Sequence, residues 1–127
     1  MLLNHRDPSE AYRRVDFDAR VKGADSRQLV DLCLEQVAGS LGRAIHAGST
    51  GDNGARSSAL TRAVAALTAL ELGVDTAMPA GQALMQLYRS ARTSILDSVL
   101  TFDPQRLGTI RDDFIEIRAA LLGASPT

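Results

Sequence analysis

The sequence has no tryptophan, only 4% aromatic residues and a single cysteine. A core without large rings must be filled by Leu, Ala, Val and Ile, which interdigitate well between helices. One thiol, Cys33, excludes an internal disulfide. Its place in the apolar series Leu29, Leu32, Cys33, Val37 reads as a small core residue rather than a reactive nucleophile. Charge of one sign is also missing. The net charge is −1 and the arginines are scattered among acids, so nucleic-acid binding by counterion release has no footprint. No apolar run approaches the ~20 residues of a membrane span. The opening Met-Leu-Leu-Asn-His-Arg-Asp-Pro breaks into charge and proline before a signal-peptide core can form. No Val/Ile/Thr run alternates in period two between turn residues, so strands are not expected. These absences predict a cytoplasmic all-α protein that neither binds nucleic acid nor inserts in a membrane.

What is present is helical periodicity. Of the 127 residues, 45% are hydrophobic and 23% charged, enough for one packed domain. Asp7-Pro8 predicts a short helix from Pro8 to about Val15, followed by a loop over Asp16 to Gly23. Asp25 or Ser26 caps the first long helix, whose Leu29, Val30, Cys33, Val37, Leu41, Ala44 and Ile45 share a face and which Gly48 is expected to end. The run Gly48 to Gly54 has loop composition. A second helix spans about Ala55 to Gly73. Pro79 opens a third, with a stripe of Leu84, Leu87, Tyr88, Ala91, Ile95 and Val99. Asp103-Pro104 caps a fourth, in which Leu107, Ile110, Phe114, Ile117 and Leu121 recur by threes and fours, as on a bundle seam. Four helices with short connections predict an antiparallel up-down four-helix bundle over residues 25–123. A short helical N-terminal segment, 1–24, precedes it, and 124–127 are expected to be a disordered tail.

Reactive chemistry is sparse. No Glu is followed three residues later by His, so a di-iron bundle site is absent. His46, near a helix C-terminus, reads as a dipole partner rather than a metal ligand. Asp112, Asp113 and Glu116 lie off the Phe114 stripe and read as a solvated face. Gly48 to Gly54 lacks the Gly-Lys-Ser/Thr end of a phosphate loop. No enzyme activity, cofactor or metal is expected. The informative stretch is Ala63 to Leu70, AVAALTAL, which is apolar or small all round, although every helix of a four-helix bundle keeps one side outward. Small residues on that side let a partner backbone approach, with neighbouring leucines as anchors. A groove of ~800 Å² per partner would support stable association.

The order of features resembles a known family. AYRRVDFDARVKGADSRQLVDLCLE (Ala11 to Glu35), ALTRAVAALTALELGVD and LMQLYRSARTSIL resemble the N-terminal region, second helix and third helix of the flagellar export chaperones called FliS. The likeness runs from Ala11 to about Leu122. It implies a cytoplasmic, non-enzymatic chaperone that binds the C-terminal segment of flagellin, prevents premature polymerisation and delivers it to an export gate component. Tyr12 matches the tyrosine of the N-terminal motif, and the resemblance implies that this segment can lie over part of the client site. The residues expected to bind the partner are Tyr12, Val15, Val64, Leu67, Leu70, Leu84 and Leu87; Tyr88 suits a core position. The chain departs from the family pattern at Ala24-Asp25-Ser26, where proline is missing, and at Glu35-Gln36, Ala83 and Arg89. The alternative is a structural or regulatory bundle that self-associates as a homodimer through the same apolar surface.

Overall fold

A computed structural model describes Arg13, Phe17, Gly23 and residues 25–123. Four α-helices follow one another: α1 (Ser26–Thr50), α2 (Asn53–Leu72), α3 (Pro79–Leu100) and α4 (Pro104–Arg118), continued by a π-helical turn, Ala119–Gly123. No strand occurs among the described residues. The fold is all-α, an up-down bundle. The expected Pro8 to Val15 helix, apart from helical Arg13, and the 124–127 tail lie outside the described residues. Phe17 is helical, in a stretch expected to be loop, and its ring is half-buried.

Each long helix starts where a capping residue stands. Asp25 forms a capping box, its carboxylate accepting from the Gln28 N–H at 2.8 Å while the Gln28 side chain accepts from the Asp25 N–H at 2.9 Å. No proline is needed at that turn. Asp52 caps α2 by accepting from the Ala55 N–H at 3.0 Å, and Asp103 caps α4 by accepting from the Arg106 N–H at 3.1 Å. Pro79 and Pro104 sit in the first turns of their helices, where no N–H is missed.

Three sequence expectations are corrected. The first helix passes through Gly48 to Thr50 and turns at Gly51, with left-handed φ 77°, so the loop is two residues rather than seven. Gly48 has a different role. The Phe102 ring lies where a Cβ at Gly48 would project, so glycine there admits the α3–α4 connection against α1. The α3 stripe ends on Ser98 instead of Val99, which is 49% exposed. At a spacing of 3.6 either residue could face inward, and the Ser98 hydroxyl decides the matter by accepting from the Asp103 N–H at 3.0 Å. The α4 seam holds through Leu107, Ile110 and Phe114, but the π-helical turn has more residues per turn and rotates Leu121 out of register to a largely exposed position.

The core joins Leu34, Val37 and Leu41 of α1, Leu60, Ala63 and Leu67 of α2, Tyr88 and Ile95 of α3, and Leu107 and Phe114 of α4. The Tyr88 and Phe114 rings are tilted at 6.1 Å between centroids. Packing is most extensive between α1 and α2, then between α1 and α4 and between α2 and α3; α3 and α4 meet only briefly. Ion pairs reinforce two of these seams. Glu71 of α2 accepts from Arg92 of α3 at 2.6 and 3.1 Å and lies 3.7 Å from Arg89. That partner explains a cation at position 89. Arg118 of α4 donates to both carboxylate oxygens of Asp31 and lies 3.6 Å from Glu35, both on α1.

Candidate functional groove

The sequence places no bulk on one side of the C-terminal half of α2. Thr61, Ala65, Ala69 and Gly73 stand at four-residue steps with Ala66 beside them, so α2 presents little side-chain bulk along that line. A cavity of about 940 Å³ results. Leu29, Val30 and Cys33 of α1 form one wall, and Leu84 of α3 with Met78 of the α2–α3 connection forms the other. Leu70 and Tyr88, both buried, make the floor. Phe17 and Leu121 reach it from the two chain ends.

Cys33 in its wall and Tyr88 in its floor carry no charge at neutral pH. Burial pushes the Cys33 thiol above its ordinary value, and burial, then proximity to Cys33, pushes the Tyr88 phenol up. Two lining residues are of charged type. Arg62, only 8% exposed, lies at the end of the groove nearer the middle of α2; Asp75 lies at the other end, in the α2–α3 connection, where its carboxylate accepts from the Ala77 N–H at 3.0 Å.

A second cleft, about 780 Å³ between α1 and α4, has a different character. Arg27, Asp31, Glu35 and Arg118 line it with Ala38 and Ile115. Its charges are largely matched internally, and the hydrogen bond to Asp31 chiefly pushes the Arg118 guanidinium up. Among the described residues, reactive groups do not converge elsewhere. Asp112, Asp113 and Glu116 are exposed, with Asp112 3.1 Å from Arg111, and His46 is exposed on α1. Among the described residues no group of three His, Cys, Asp or Glu side chains could hold a metal ion, and no helix is long and apolar enough to cross a membrane.

Of the residues expected to bind a partner, the structure brings Leu70 and Leu84 together in the groove. Leu67 is 0% exposed and belongs to the core, Val64 is half-buried against that core, and Leu87 is half-buried outside the groove lining. Tyr12 and Val15 lie outside the described residues. Sequence reasoning missed Arg62 and Phe17. Arg62 could have been found, because it stands four and eight residues before Ala66 and Leu70 on one helix face. Phe17 carried no periodic signal.

The family model described as Flagellar protein FliS matches residues 8–126. No curated protein sequence matches the chain. The chain belongs to the FliS family of flagellar export chaperones, whose members are non-catalytic.

Proposed function

We propose that this FliS-family chain is a cytoplasmic chaperone that holds the C-terminal segment of flagellin in the α1–α2–α3 groove, prevents its premature polymerisation and delivers it to the export apparatus. The observation that carries this reading is an apolar cavity of about 940 Å³ lined by Ala65, Ala66 and Ala69 and flanked by Leu70 and Leu84. Alanines admit the backbone of a helical segment, and the leucines interdigitate with its i, i+3, i+4 side chains. Covering such a surface removes apolar area from water at about 25 cal/mol per Å², of which a surplus survives the cost of ordering the client. Phe17, drawn from the N-terminal segment, occupies part of the groove wall, and the segment acts as a cap that the client displaces.

Coexpression with flagellin should give a stable 1:1 complex in which the flagellin tail resists protease. Separate migration of the two proteins at micromolar concentration would overturn the proposal. A second reading, self-association, is favoured by one observation: Leu96, Val99 and Leu100 form an exposed apolar ridge on α3, Leu100 being 91% exposed. Light scattering of the free protein tests this second reading: a dimer supports it and a monomer at micromolar concentration overturns it.

A further inference from the structure

Covering a groove stabilises a complex only through the apolar area that water still touches beforehand. The floor has little of it. Leu70 and Tyr88 are already packed into the chain's own core and almost fully buried, and the alanines of α2 open the space but bring one methyl group each. Two lining residues differ: Met78 is 56% exposed and Leu121 44%. The other large apolar side chains left well exposed among the described residues stand elsewhere, Ile115 in the α1–α4 cleft and Leu72, Leu96, Val99 and Leu100 in neither cleft.

Local backbone chemistry brings both residues to the groove. Met78 precedes Pro79, which holds the residue before it in an extended conformation, here φ −92° and ψ 140°. It occupies the N-cap position of α3 yet makes no side-chain capping bond, since a thioether is a poor substitute for the oxygen of Asp, Asn, Ser or Thr. Capping therefore gives no reason for methionine there. An unbranched, polarisable side chain in a groove wall has one, because it adapts to an irregular apolar surface. Leu121 is placed by a change of pitch. Phe114 is buried in the core and Ile117 packs against it, and a continued α-helix would set Leu121 on the same stripe, four residues after Ile117. The π-helical turn Ala119–Gly123 breaks that register, and Leu121 lines the groove instead. A leucine turned from its own core gains little from folding alone and much from a covering partner.

We propose that Met78 and Leu121 are the affinity-determining contacts of the groove: a bound client segment draws most of its side-chain burial from these two, while the alanines and the floor supply shape. This rests on the proposed client role and names the residues that give it strength. Half-exposed side chains of this size, covered on binding, change an equilibrium constant by about fivefold each.

Isothermal titration of the full chain with the flagellin C-terminal segment tests the assignment. Met78→Ala and Leu121→Ala should each weaken binding about fivefold, and the double variant by more than either alone, with thermal midpoints near wild type. The heat-capacity change of binding should become less negative in each, the mark of apolar area no longer covered. Leu100→Ala removes a leucine more exposed than either but outside the groove, and should leave the affinity unchanged. Leu121→Gln keeps a good helix former of similar length and should reproduce the loss, so the assignment stays testable if alanine alters the terminal turn. Wild-type affinity in either rim variant, or an equal loss in Leu100→Ala, would overturn the assignment and leave the client role standing. If the flagellin segment fails to bind the wild-type chain, the client role falls and the inference with it.

Discussion

Two clefts share α1 and differ in how their walls are satisfied. Towards α4, Asp31 and Glu35 meet Arg118, and the pairing closes the seam with the chain's own groups. Towards the groove, α1 contributes Leu29, Val30 and Cys33, and α2 answers them with alanines that leave the space open. The lesson is that small residues, rather than exposed large ones, make the uncovered surface. Leu70 and Tyr88 remain almost fully buried while forming its floor, so the groove floor itself exposes little of its large apolar side chains.

The contrast can be broken most severely from beneath. Leu67→Glu puts a carboxylate into the core and should cost about 4 kcal/mol or more, enough to unfold much of the protein; thermal denaturation by circular dichroism measures it. A mutant that keeps wild-type stability would mean Leu67 is not enclosed. Next, Ala69→Leu fills the groove without touching the α1–α4 side. Client affinity should fall about tenfold or more, a loss of about 1.4 kcal/mol, with the melting temperature nearly unchanged. Isothermal titration with the flagellin segment reads the first and calorimetry the second.

Arg118→Met acts on the other side alone. Because the pair is substantially exposed, solvent screening limits the expected cost to about 0.5–1 kcal/mol, with client affinity unaltered. Salt should shrink this difference between wild type and mutant. The smallest effect is a pH dependence of the groove lining. Cys33 and Tyr88 have folded-state values raised above 9.0 and 10.0, so their contribution is fully present below those unfolded values and is lost as pH rises through the folded ones. Denaturant midpoints should show no loss from these two groups between pH 7 and 8.5 and a decline above pH 9; Cys33→Ala should reduce the decline.

Much of the architecture was legible because it rests on local chemistry. Asp25, Pro79 and Asp103-Pro104 mark helix starts through groups within one turn, and the Leu107–Phe114 seam follows from period alone. Misreadings arose where distant groups decide. Gly48 looked like a stop signal until Phe102, far along the chain, claimed the space beside it. Ser98 displaced Val99 because a loop N–H required a partner, and Leu121 left its stripe when the helix changed pitch. The candidate site was half legible for the same reason. The alanines of α2 signalled an unfilled side, but periodicity could not tell that Leu67 faces the core while Leu70 reaches the groove floor, since both belong to one broad apolar arc.

The two-residue turn at Gly51-Asp52 has a consequence for the newborn chain. Joining α1 to α2 closes almost no loop, whereas the contact of Arg118 with Asp31 spans 87 residues and must wait for the last helix to leave the ribosome. Nearly all of the cradle is encoded before that final helix, so a receptive surface can begin to assemble while translation is still under way.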